Sequence, residues 1–158
     1  MYHLKGEYEC KADAKGRLRL PSSLIKQLDE AGALNFTINR GFEQHLMLYP
    51  SDVWDKKTKE INKLNLYNSK ERAVVRYFYR GATELTLDKA DRILLPKSLM
   101  EYAGIDKEVV VFAYNEVIEV WSKEKYEQML DQEPKEFGEI TENIFNSNQS
   151  EQSQDGLS

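Results

Sequence analysis

The alternation of apolar and polar positions along this chain occurs twice in the same order. Stretches near Gly6 to Ala12 and Thr83 to Leu87 predict a strand entering a turn, and Leu18 to Leu20 and Ile93 to Leu95 predict the strand leaving it. Pro21 and Pro96 end the strand pairing and suit the first turn of a helix, with Ser22, Ser23 and Ser98 as polar entry residues. Helices are predicted near Ser23 to Glu30 and Lys97 to Ala103, ending at Gly32 and Gly104, because glycine readily takes the left-handed stop. A hairpin follows in each case, Phe36 to Asn39 with His45 to Tyr49, and Val109 to Ala113 with Val117 to Trp121. The unbroken apolar run Val109 to Phe112 predicts a strand covered on both faces.

The residues repeat as well as the pattern. Asp13-Ala14-Lys15-Gly16-Arg17-Leu18-Arg19-Leu20-Pro21 returns 75 positions later as Asp88-Lys89-Ala90-Asp91-Arg92-Ile93-Leu94-Leu95-Pro96. Downstream the offset is 72, where Ala31-Gly32 matches Ala103-Gly104 and Trp54 matches Tyr126. A shared order of turn, proline, helix, Ala-Gly, two strands and an aromatic points to two degenerate copies of one β-turn-β-helix unit. We place the first copy at 1–66 and the second at 67–132, packed together as one globular unit of the α+β class. The stretch 133–158 is acidic, rich in Gln, Ser and Asn and poor in apolar residues, and is expected to be a disordered tail.

Two helical segments are predicted between the copies. The first begins at Ser51 or Asp52 as N-cap and runs to about Lys63. The second starts at Asn68 or Ser69 and runs through Tyr79 to Gly81, with Val74, Val75, Phe78 and Tyr79 as a core face and Arg72, Arg76 and Arg80 as a separate stripe. That stripe can lie along a groove, but a solvated or subunit-facing stripe is commoner, and Glu60 and Glu71 are near enough in sequence to pair with it.

Charge changes the picture only when it is divided. The chain of 158 residues has a net charge of −5, yet from Glu127 onward it holds eight acids against the single base Lys135. Met1 to Tyr126 carries 21 bases and 19 acids, so the acidic total reports on the C-terminal part. No apolar run approaches the roughly 20 residues of a bilayer span. The N-terminal residues lack the apolar centre of a secretory signal, and the single Cys10 has no internal disulfide partner, which together predict a cytoplasmic protein.

Enzyme signatures are missing. His3 and His45 lie in different strands without a ligand at metal spacing, Cys10 has no obvious base beside it, and no phosphate-binding or dinucleotide loop occurs. We therefore expect no enzyme, no metal, no cofactor and no small-molecule substrate. The turns hold the candidate chemistry. Asp13 can accept the following backbone N–H groups and Gly16 can take positive φ, while Lys15, Arg17 and Arg19 project from one exposed loop. Such cations can neutralise phosphates, and an arginine can bind guanine O6 and N7 with two hydrogen bonds. For Asp13 and Asp88 the favoured role is structural, shaping the turn. For Lys15 and Arg17 the residues alone leave two readings open, a hairpin closure or a contact with nucleic acid.

A resemblance sharpens this. Gly6-Glu7-Tyr8, Asp13-Ala14-Lys15-Gly16-Arg17, Leu48-Tyr49-Pro50 with Trp54, Arg80-Gly81-Ala82, Asp88-Lys89-x-x-Arg92, Tyr102-Ala103-Gly104 and Glu119-Val120-Trp121 together resemble the MraZ family. These are bacterial transcriptional regulators encoded at the head of the division and cell-wall gene cluster, and the likeness covers about residues 1 to 130. It implies a small β-barrel of the AbrB type (SpoVT-AbrB-like) with flanking helices, the two copies packing as a pseudo-dimer. It further implies a nucleoid-associated, ring-shaped homo-oligomer that binds short direct repeats containing guanine in double-stranded promoter DNA, usually repressing its own operon.

Carried over by position, the family's DNA contacts fall on Lys15 and Arg17 in the first copy and on Lys89 and Arg92 in the second. Arg19 lies beside that motif and is our addition from the residues. The second turn departs from the family pattern, since Asp91 stands where glycine is usual and its carboxylate can occupy Arg92. The expectation is that the first copy reads DNA and the second mainly completes the barrel. The rival from another class is an oligomeric protein-interaction scaffold, in which the turns only close hairpins.

Overall fold

The pairing of strands, more than their positions, organises the computed structural model, which describes residues 2–33, 35–132 and 137–155. The elements run β1 (Leu4–Lys11), β2 (Arg17–Arg19), α1 (Ser22–Glu30), β3 (Asn35–Arg40), β4 (Leu46–Pro50), α2 (Ser51–Ile61), α3 (Ser69–Tyr79), β5 (Thr83–Thr86), β6 (Arg92–Leu94), α4 (Lys97–Ala103), β7 (Glu108–Asn115), β8 (Val117–Ser122), α5 (Lys123–Asp131) and α6 (Phe137–Asp155). The class is α+β, and among the described residues every strand pairing is antiparallel.

Six strands form one sheet in the order β1-β7-β8-β4-β3-β5, and β2 pairs with β6 in a separate two-stranded ribbon. Each copy therefore gives its entering strand to the other: β1 lies on β7, and β5 lies on β3. The order reads the same when the copies are exchanged, so a pseudo-dyad relates the halves. It passes through the Leu18–Ile93 pair of the ribbon and the Met47–Glu119 pair of the sheet, which are equivalent positions of the two repeats facing one another. The sheet is open, with β1 and β5 at its edges. The turn is accordingly not the tip of a simple hairpin. Ala12 and Leu18 form one isolated bridge, after which β1 and β2 part toward different partners.

One core serves both copies. Leu18, Leu24, Leu28, Phe36, Ile38, Leu46, Leu48, Ile93, Leu99, Val111, Ile118 and Val120 are almost wholly buried together. Val109, Val110 and Val111 are buried, as the apolar run predicts for β7. His45 is a packing residue, buried and stacked on Trp121 at 4.5 Å, and burial lowers its pKa. Gly104 ends α4 at φ 66°, and Gly32 follows α1 at φ 77°.

Three local expectations are corrected. Pro50, not Ser51 or Asp52, occupies the N-cap of α2, and it offers no side-chain acceptor. Helix α3 is capped by Asn68, whose Oδ1 accepts the Lys70 and Glu71 N–H groups, but its expected core face is only part buried. Val74 and Tyr79 are exposed, and the helix is held near its end by Phe78 stacked on Trp54 at 4.8 Å and by Asn39 Nδ2 donating to the Phe78 carbonyl at 2.9 Å. Aromatic stacking on α2 replaces a buried aliphatic stripe. Glu60 and Glu71 do not partner the arginines either: Glu60 pairs with Lys63, and Glu71 accepts the Asn65 N–H. Within the stretch expected as a tail, Phe137–Asp155 forms α6, while 133–136 and 156–158 lie outside the described residues.

Candidate nucleic-acid interface

The two turns are built the same way, bond for bond. In the first, Asp13 Oδ1 accepts the Lys15 N–H at 3.0 Å and the Arg17 N–H at 2.9 Å. The Asp13 backbone closes the loop by donating to the Arg17 carbonyl and accepting from Gly16 N–H, each at 3.0 Å. In the second, Asp88 Oδ1 accepts the Ala90 N–H at 2.8 Å and the Arg92 N–H at 2.9 Å, and the Asp88 backbone bonds to Arg92 and Asp91 in the same pattern. In each turn the second carboxylate oxygen takes the arginine Nε, at 2.6 Å for Arg17 and 2.8 Å for Arg92. Accepting the arginine backbone N–H, above all, holds both Asp13 and Asp88 below the ordinary carboxylate pKa.

The residue before each arginine must take the left-handed conformation. Gly16 does so at φ 86° and Asp91 at φ 59°. Aspartate is among the side chains that tolerate this region, so the second turn keeps the shape of the first. The expectation that Asp91 captures Arg92 is not met: the arginine is held by Asp88, as Arg17 is by Asp13. Only Nε is engaged in either pair, and among the described residues the Nη groups of Arg17 and Arg92 make no hydrogen bond. Both pairs are only about one-third exposed, with side-chain accessibilities of 36% for Arg17 and 33% for Arg92.

The ribbon locks the turns to each other. The Leu20 N–H donates to the Asp91 carbonyl at 3.0 Å, and the Leu95 N–H donates to the Gly16 carbonyl at 2.8 Å. Register then decides what faces outward. Arg17 lies opposite Leu94, Leu18 opposite Ile93 and Arg19 opposite Arg92. Side chains directly across an antiparallel pair share a face. Leu18 and Ile93 are wholly buried, so Arg17, Arg19, Arg92 and Leu94 form the opposite, outer face. Lys15 and Lys89 are exposed at the tips of the two turns.

The structure thus brings Arg17, Arg19 and Arg92 onto one ribbon face, with Asp13, Gly16 and Asp88 as its frame. The sequence pattern alone does not mark Leu94 as part of this face. Its signal is positional, since Leu94 is the repeat equivalent of Arg19, but only the β2–β6 register shows that it faces Arg17.

Fold and turns define the class: a two-repeat α+β protein whose halves exchange strands and whose paired Asp–Arg turns flank a cationic ribbon. Comparison with known proteins supplies the family. The model described as "MraZ protein, putative antitoxin-like" matches residues 3–77 and 78–148, one copy each, and the chain belongs to the MraZ family. Among its relatives is the "Transcriptional regulator MraZ" of Christiangramia forsetii, 40% identical over 92% of this chain and 94% of the relative. The proteins of the same name from Desulforamulus reducens and Clostridium acetobutylicum are 37% and 40% identical, covering 88% and 77% of this chain and 95% and 82% of their own lengths.

Proposed function

We propose that the chain is a sequence-specific DNA-binding transcriptional regulator that reads promoter repeats through the outer face of the β2–β6 ribbon and its two turns. The observation that carries this reading is the convergence of Arg17, Arg19 and Arg92 on one exposed face with Lys15 and Lys89 beside it. The relatives' printed name, transcriptional regulator, agrees with it. A two-stranded ribbon fits a major groove. Three ribbon residues span about 7 Å, close to two base-pair steps of about 3.4 Å, which suits a short recognition element. Asp13 and Asp88 fix the arginines by Nε and leave the forked Nη groups for a guanine or a phosphate.

Energetics call for several copies. A good bidentate arginine–guanine contact gives about 1–3 kcal/mol of discrimination, whereas nanomolar affinity needs about 12 kcal/mol. One protomer offers a few such contacts, so a homo-oligomer that sets neighbouring ribbons on successive direct repeats would supply the rest through effective concentration. Phe42, 85% exposed and stacked on Tyr77 beside the exposed Val74, offers apolar surface for that association. In this reading the occupied repeats block polymerase, and the protein represses its own operon from the nucleoid.

Arg17→Ala tests the reading. A partly exposed Asp–Arg pair contributes about 1 kcal/mol or less to stability, so the fold should survive. The variant should keep its circular-dichroism spectrum and oligomer size while its affinity for the DNA upstream of its own gene falls at least about tenfold. Wild-type affinity at matched salt would overturn the assignment.

A further inference from the structure

The ribbon's outer face does not obey the pseudo-dyad that built it. The dyad passes through the Leu18–Ile93 pair and exchanges Arg17 with Arg92 and Arg19 with Leu94. The first exchange conserves the side chain, but the second does not. One end of the ribbon therefore presents Arg17 beside Leu94 and the other presents Arg92 beside Arg19, in direct cross-strand register. The tips differ in the same sense. Gly16 closes the first turn where Asp91 closes the second, and Asp91 lines a recess together with Arg19. Leu94 shares the recess at the other end with Lys15 and Gly16.

Leu94 is 57% exposed although its strand neighbours Ile93 and Leu95 are buried. Nothing in the core requires an apolar side chain there, and the position across the dyad carries an arginine. On a face that meets base edges, an exposed aliphatic group has one natural partner in the major groove, the C5-methyl of thymine. Arg19 beside Arg92 has the opposite preference, for guanine acceptors or phosphate oxygens.

We propose that Leu94 is a specificity residue that contacts a thymine methyl next to the guanine read by Arg17, and that the Leu94/Arg19 difference gives the ribbon a direction on DNA. This rests on the reading of the ribbon as the DNA-binding face. A dyad-symmetric face would accept a site in either orientation and would suit inverted half-sites. A face with an apolar end and a doubly cationic end binds one orientation better, so neighbouring subunits can read repeats that all point the same way.

The test uses the full chain and duplexes spanning the DNA upstream of its gene, each thymine of a repeat replaced in turn by deoxyuridine, which removes only the methyl group. At one thymine per repeat the wild type should lose about three- to fivefold in affinity, the fold-change expected from losing burial of one methyl. Leu94→Ala should bind thymine and deoxyuridine duplexes equally. Leu94→Arg, which makes the strand positions of the outer face obey the dyad while the turn tips still differ, should narrow the difference in affinity between a repeat and its reversed copy. The inference is overturned if no deoxyuridine position weakens the wild type, if Leu94→Ala keeps the wild-type sensitivity, or if Leu94→Arg leaves the orientation preference unchanged. Arg17→Ala is the separate control: full binding by that variant removes the DNA-face reading itself, whereas its loss beside a Leu94-independent methyl effect removes only this inference.

Discussion

Asp13 commits both carboxylate oxygens to its own turn, one to two backbone N–H groups and one to Arg17 Nε. That geometry sets a pH dependence. A carboxyl held below its ordinary value contributes stability that is present above about pH 4 and is lost as pH falls through the lower folded value. Asp13→Asn should therefore flatten the acid limb of a melting temperature–pH profile below about pH 4, leaving the neutral region lower but parallel. Gly16 is the second fixed point. An added Cβ would be 3.0 Å from the Leu95 carbonyl and from Met100 Sδ at φ 86°, so Gly16→Ala should cost about 1–3 kcal/mol and lower the melting temperature by several degrees. Both roles were legible from the sequence, because turn chemistry is local. The pairing of Arg19 with Arg92 was not, since it depends on which strand lies across the ribbon.

At the scale of elements, the repeat predicts where strands and helices fall more closely than it predicts their partners. Periodicity places β7 on Val109 and its neighbours and α4 on Lys97–Ala103, because burial and capping leave their mark within a few residues. It carries no record that β1 leaves its own copy to pair with β7, or that β2 pairs with β6. The helix α3 shows the converse failure. Val74 and Tyr79 have core-like spacing yet lie exposed, because aromatic packing at Phe78 anchors the helix. The ribbon's hold on the core gives a direct prediction. Leu18 is wholly buried at the dyad, so Leu18→Ala should cost about 2–5 kcal/mol in chemical denaturation, and DNA affinity should fall with it.

For the whole molecule, dividing the charge matters more than its sum. The body Met1–Tyr126 is one compact unit, and the excess of acids over bases comes from the residues beyond it. A near-neutral body that binds DNA must do so through a local cationic face, and affinity should fall steeply as salt rises, with a log–log slope of about −0.9 for each phosphate contact. Exposed Phe42 belongs to this scale too: if the chain self-associates as proposed, Phe42→Glu should reduce its mass in analytical ultracentrifugation while preserving the protomer's circular-dichroism spectrum. The membership of the family and the α+β class were both readable from residues 1 to 130, whereas the open sheet and the shared ribbon face required the strand register.

The proposed function makes the two turns together one reading face, although their sequences differ at Gly16 and Asp91. It is tested most directly by the affinity of Arg92→Ala for the protein's own upstream DNA, measured by fluorescence anisotropy beside Arg17→Ala at matched salt. Equal hydrogen-bond geometry in the two turns predicts losses of similar size, at least about tenfold for each. Wild-type affinity in Arg92→Ala, with Arg17→Ala inactive, would contradict it and leave the second turn a purely structural copy.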